Sequence, residues 1–146
     1  MLVLVENLGQ LPDATTMDSL SLTFEQRSKA RLKVMTDNGQ DAGLFLERGK
    51  VLRDGDVLRG ECGSLVVVRS RPEEACTSRC DDWLLFAKVC FHLGNRHAHL
   101  QIGDRWLRFK PDSVLEEMVR HLGLECVKEV APFEPESGAY SSGHSH

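Results

Sequence analysis

No run in this sequence is apolar for long enough to cross a bilayer. The opening stretch Leu2–Val5 is too short for a signal-peptide core, and no basic segment precedes it. A cytoplasmic protein without membrane contacts is therefore expected. A basic stripe is missing as well: 18 Lys and Arg stand against 22 Asp and Glu, for a net charge of −4, and the cations are scattered. Nothing in that distribution attracts a phosphate backbone, so nucleic acid is not an expected partner. The five cysteines, Cys62, Cys76, Cys80, Cys90 and Cys126, are odd in number and lack a secretory setting, which argues against a disulfide framework and for reduced thiols. Cys76 and Cys80 lack the usual zinc spacing and read as small apolar residues.

The motifs of bond-breaking chemistry are also missing. There is no glycine-rich loop ending in Lys-Ser or Lys-Thr, no Gly-x-Ser-x-Gly turn and no His-Glu-x-x-His pair. The acidic doublets Glu73-Glu74, Asp81-Asp82 and Glu116-Glu117 are accounted for as helix starts or solvated surface. An enzyme is not expected. What remains is 146 residues with 41% hydrophobic content, enough for one ordinary domain or two small ones.

The first half carries period-two patterning. Leu20, Leu22 and Phe24 alternate with polar residues, and Leu32 and Val34 alternate with Arg31, Lys33 and Met35. Such alternation predicts half-buried strands. Asn38-Gly39 and Asp54-Gly55 supply positive φ where the chain reverses, and each predicts a hairpin turn. The continuous run Leu65–Val68 predicts a strand covered on both faces. Together these give an all-β unit ending near Arg69. Arg27, Arg31 and Arg48 either form a surface that meets a partner or simply solvate the sheet. Cys62-Gly63 is assigned no role.

The second half mixes periods. Asp81 and Asp82 are N-cap candidates for a helix whose stripe is Trp83, Phe86, Ala87 and Cys90, with Gly94 as its left-handed stop. Leu100 and Ile102 face Leu107 and Phe109 across Gly103-Asp104, which predicts a second kind of hairpin. Ser113 and Glu116 have capping-box spacing ahead of an apolar face of Val114, Leu115, Met118, Val119 and Leu122, ending at Gly123. Strands are expected over Leu124–Val130 and, more weakly, around Ala75–Cys80. The order βαββαβ is the ferredoxin-like split unit, so the fold class is α+β. Pro132 and Pro135 break regular structure, and Ser141–His146 has no apolar content to fold on, which predicts a flexible tail.

Candidate chemistry gathers in His92-Leu-Gly-Asn-Arg-His97-Ala-His99, where the helix gives way to the hairpin. If His97 and His99 begin a strand, their rings share one face and can share a metal. Without further ligands at metal spacing, ordinary surface histidines are the alternative. His92 lies on the row of Leu85 and Val89, which favours a buried, hydrogen-bonded imidazole over a ligand. His144 and His146 add two imidazoles near the end of the chain, a donor type that suits nickel, zinc, copper and iron better than magnesium or calcium. An inert terminus is the alternative there.

The segments His92–His97, Leu100–Ile102, Val114–Met118 and Ala131–Tyr140, with Gly43–Gly49 and Leu52–Leu58 in the first half, resemble the UreE urease accessory proteins, a family of nickel metallochaperones. The resemblance runs from about Leu20 to Tyr140. It implies an all-β domain over 1–73 that meets partner polypeptide or peptide, a ferredoxin-like domain over 74–136 that binds metal and dimerises, and a histidine-containing tail over 137–146. It further implies that His97 binds Ni(II) at the interface of a homodimer with help from His144 and His146, and that the cargo goes to the urease apoprotein together with other urease accessory proteins, including the accessory GTPase. Zn(II) is an expected competitor, since imidazole ligands do not exclude it. Where some relatives carry further histidines, this chain has Lys110, Pro111 and Ser113, and where many carry proline it has His99. A peptide- or protein-binding adaptor with incidental histidines is the alternative reading.

Overall fold

In the computed structural model, which describes residues 1–138, the period-two half of the chain becomes a six-stranded sheet. Its strands are β1 (Leu2–Gln10), β2 (Asp18–Leu22), β3 (Arg31–Met35), β4 (Asp41–Phe45), β5 (Asp56–Gly60) and β6 (Leu65–Ser70), in the order β2-β6-β5-β1-β4-β3. β1 pairs parallel to β4 and β2 parallel to β6, while the remaining pairings are antiparallel. The inward residues Leu2, Leu4, Leu20, Leu22, Leu44, Leu58, Val66 and Val68 form one buried cluster. These elements make up one compact unit, built on Met1–Arg71.

Several expectations change here. β1, with no clear alternation to mark it, is a central strand. The run Leu20, Leu22, Phe24 is not one strand: β2 stops at Leu22, and Thr23 caps a one-turn helix, α1 (Phe24–Arg27), in a capping box with Gln26. The unit is therefore mostly β rather than all β. Asn38-Gly39 does join β3 to β4. Asp54-Gly55 is a turn but not a hairpin, because β5 pairs with β1 and β6 and not with β4. The hairpin instead closes at Glu61–Ser64, where Gly60 N–H donates to Ser64 O at 2.8 Å, so Cys62-Gly63 does have a structural role. β6 is buried on alternate residues only.

Arg27 is the largest departure. It neither solvates the sheet nor faces a partner: it is fully buried, with Nε donating to Leu22 O and Nη1 to Leu52 O, each at 3.2 Å. Its guanidinium ties α1 and the 46–55 loop to β2. Arg31 and Arg48 are exposed, as expected.

The second unit, built on Pro72–Ser137, runs β7 (Glu73–Arg79), α2 (Trp83–Gly94), β8 (Gln101–Ile102), β9 (Trp106–Phe109), α3 (Ser113–His121) and β10 (Val127–Ala131), with the sheet order β10-β7-β9-β8. All its strand pairs are antiparallel. Asp82 caps α2 by accepting from Leu84 and Leu85 N–H. The buried stripe of α2 is Phe86, Val89 and Leu93, rotated from the expected one, so that Trp83 and Ala87 face solvent and Cys90 is half-buried. This stripe packs with Cys76, Leu107, Phe109 and Val119.

The hairpin turn is Asp104-Arg105, one residue later than expected. Gly103 N–H donates to Trp106 O at 2.8 Å, and Arg105 takes φ +61°. Gly103 is required where it stands because a Cβ there would lie 2.0 Å from Trp106 Cε2. The cap of α3 is Asp112, not Ser113, and Glu116 is buried rather than solvated, accepting from Asp112 N–H and pairing with Lys128. On the far face of the sheet the Thr77 hydroxyl and then Arg108 hold the Glu129 carboxyl below the usual carboxylate range.

Replacing Arg27 by Met leaves the carbonyls of Leu22 and Leu52 without these donors, and is expected to cost about 3 kcal/mol. Urea unfolding followed by tryptophan-independent circular dichroism measures it. An unchanged midpoint contradicts the assigned bridging role.

Candidate metal centre

α2 tightens as it ends. Asn95 N–H still donates to Phe91 O, but Arg96 then donates to Leu93 O and His97 to Gly94 O, at 3.1 and 3.0 Å. These tighter bonds satisfy the last helical carbonyls and narrow the coil. Gly94 is therefore the last helical residue and not a left-handed stop. The left-handed conformation falls on His97, at φ +57°. A side chain in that region costs about 1 kcal/mol or more, and histidine is among the residues found there most often.

That reversal aims the chain into β8. His97 is exposed and lies outside any strand, as does His99, so the expected strand geometry is not what brings the two together. They meet instead on one recess of about 420 Å³, which Arg96, Lys110, Asp112 and Leu115 also line. Lys110 is engaged there, donating to Glu73 Oε1 at 2.8 Å and to Glu74 O at 2.6 Å. Asp112 spends one carboxylate oxygen on the α3 cap. Sequence reasoning missed Asp112 as a neighbour of the histidines. The only signal was its position before Ser113.

His92 does not join the recess. It is exposed on α2, with its ring 5.4 Å from that of Phe91, and is not the buried histidine the helical row suggested. The row was displaced because the buried stripe runs through Val89 and Leu93. His144 and His146 lie outside the described residues. The root of their segment is nevertheless placed: Phe133 is buried, Glu134 N–H donates to Gln101 Oε1 at 3.0 Å, and Glu136 N–H donates to Leu100 O at 2.8 Å. The chain thus leaves the sheet one residue from His99.

Among the described residues no three His, Cys, Asp or Glu side chains are grouped to hold a metal ion. The thiols are dispersed by environment. Burial, reinforced by the nearby Glu116 and Cys126, pushes the Cys76 thiol up to about 11, whereas the Ser64 hydroxyl beside exposed Cys62 pulls its thiol down. No helix among the described residues is long and apolar enough to cross a membrane.

A mostly β unit followed by a unit of sheet and helices, the second carrying two exposed imidazoles that line one recess, defines a two-domain α+β protein. Family models place it more closely. Residues 4–71 match the UreE urease accessory protein, N-terminal domain, and residues 73–146 match the UreE urease accessory protein, C-terminal domain. Similar proteins named urease accessory protein UreE include one from Alteromonas mediterranea, 55% identical over 130 residues, covering 88% of this chain and 84% of the relative. One from Marinomonas sp. is 49% identical over 146 residues, covering 100% and 99%. Another, from Azotobacter vinelandii, is 51% identical over 128 residues, covering 87% and 77%. The chain belongs to the UreE urease accessory protein family. Its role is in urease maturation, as an accessory protein and not an enzyme.

Two outcomes follow from this geometry. His97→Gly should hold or raise stability by up to about 1 kcal/mol in urea unfolding, since glycine enters the left-handed region freely, while His97→Val should lower it by about 1–2 kcal/mol. The reverse order contradicts the turn. In timed alkylation of the native protein read by mass spectrometry, Cys62 should be modified first and Cys76 last. Early modification of Cys76 contradicts its placement in the core.

Proposed function

We propose that this protein is a nickel metallochaperone in which His97 from each of two protomers forms the core of one Ni(II) site. The carrying observation is where His97 stands: exposed, held in a left-handed turn, and next to a surface of largely exposed apolar side chains. Leu84 is 66% exposed, Phe91 65%, Trp83 57% and Val114 52%. On α2, Leu84, Ala87 and Phe91 share the stripe opposite the buried one, and that stripe leads into the His97 turn. A patch of this kind on a small unit marks an interaction surface, and a homodimer related by a two-fold axis is the simplest occupant. Such an axis beside His97 turns one imidazole into two.

His144 and His146 then complete the site reversibly. From Glu136, anchored at Leu100, the chain to His144 spans at most about 28 Å, which brings both within reach of His97 and His99. Ligands on a short leash permit stepwise exchange with an acceptor, whereas a closed four-ligand site resists it. Imidazole does not discriminate strongly between nickel and zinc, so Zn(II) competes and selectivity falls to the handover partners. Those partners are the urease apoprotein and the other urease accessory proteins, including the accessory GTPase, met in the cytoplasm. The β10-β7-β9-β8 order with two helices supports reading the second unit as ferredoxin-like, and contact with partner polypeptide is assigned to the first unit.

Isothermal titration of Ni(II) into the intact dimer tests the reading. His97→Ala should weaken the tight site roughly 100-fold, about 2.7 kcal/mol. His144→Ala with His146→Ala should weaken it less. Undiminished tight binding by His97→Ala defeats the assignment.

A further inference from the structure

β10 and β8 are the two edges of the second unit's sheet, so the chain that leaves Ala131 starts three strand spacings from β8, the strand that His97 and His99 lead into. At roughly 4.8 Å per spacing that is a displacement of about 14 Å. Residues 132–136 cross it as a strap. Pro132 O accepts from Arg108 Nη1 in β9 at 3.0 Å, Glu134 N–H donates to Gln101 Oε1 in β8 at 3.0 Å, and Glu136 N–H donates to Leu100 O at 2.8 Å. Phe133 and Pro135, which alternate with these bonds, are buried.

The two side chains that hold the strap are cross-strand neighbours. Gln101 stands opposite Arg108, and Arg108 opposite Thr77, on the face turned away from both helices. Arg108 is itself fixed: Nε donates to Thr77 Oγ1 at 2.9 Å and Nη2 to Glu129 Oε1 at 3.0 Å, which aims the planar fork's Nη1 at Pro132 O. Neither Gln101 nor Arg108 belongs to the buried cluster under α2 and α3, which lies on the other face.

We propose that Gln101, backed by Arg108, is a positioning residue for the metal site: it holds the strap so that the C-terminal imidazoles are tethered beside His99 and not at β10. The inference rests on the reading that His97, His144 and His146 share one Ni(II). Gln101 touches no metal. It acts on the length and origin of the tether, which set the effective concentration of a linked ligand. The chain from Ala131 to His144 is about 1.6 times as long as that from Glu136, so the strap alone raises the concentration of those imidazoles at His97 about twofold, and an origin about 14 Å nearer raises it further.

Nickel titrations of the full chain against a competing chelator, arranged as a double-variant cycle, test it. Gln101→Leu removes the acceptor at similar volume. It should weaken Ni(II) binding at least about threefold when His144 and His146 are present, and leave it unchanged in the His144→Ala, His146→Ala background. Gln101→Glu keeps an acceptor for Glu134 N–H and should restore binding, which a general loosening of β8 does not predict. Amide hydrogen exchange at Glu134 and Glu136 in metal-free protein should quicken in Gln101→Leu and stay slow in Gln101→Glu. Unchanged exchange in Gln101→Leu, or equal weakening with and without the two C-terminal histidines, overturns the proposal. If His144→Ala with His146→Ala costs no affinity in the otherwise natural chain, the metal reading beneath it falls. A cost that Gln101→Leu leaves whole overturns the positioning role alone.

Discussion

The packing of α2 on its own sheet is the interaction from which the rest of the candidate site follows. Phe86, Val89 and Leu93 are driven into the cluster around Leu107 and Phe109. The Asp82 cap fixes where the helix starts, and Leu93 is the last inward residue. The helix then has no further apolar residue to bury and tightens over its final carbonyls. His97 takes the left-handed conformation because the chain must reverse there to reach β8. The same packing leaves Leu84 and Phe91 outside. One choice of buried stripe thereby sets both the exposed imidazole and the apolar surface that runs up to it.

Openness is consistent with the proposed role. A structural metal site closes its coordination sphere with rigid ligands and gains folding energy from the ion. Here the imidazoles lie on a shallow recess, Lys110 and Asp112 are already engaged in holding β7 and α3, and the segment leading to His144 and His146 is anchored beside His99. In the proposed reading the remaining donors come from a second chain or from the end of this one. An arrangement of that kind favours exchange over retention.

Much of the second unit was legible because its signals are local. Asp82 and Gly123 mark helix ends through backbone hydrogen bonding and φ, and apolar periodicity located α3 although its cap is Asp112 and not the expected Ser113. The first unit was harder, since strand partners are set by distant residues. Asp54-Gly55 has the chemistry of a hairpin turn, but nothing local says that β5 will sit between β1 and β6. Arg27 could not be recognised as buried from its own neighbourhood, because the carbonyls of Leu22 and Leu52 that receive it come from separate elements. The site shows the same division. His97 and His99 were visible as a cluster, whereas the left-handed turn that presents them, and the exposure of His92, depend on which α2 stripe the core selects.

Symmetry is the central claim: two His97 imidazoles, one per protomer, share a single ion. Anomalous diffraction at the nickel edge from crystals of the nickel-loaded full chain tests it most directly. The account predicts one nickel peak on a two-fold axis between protomers, with the rings of both His97 residues as ligands. Nickel bound within one protomer away from His97, or protomers paired so that the two turns lie far apart, contradicts it.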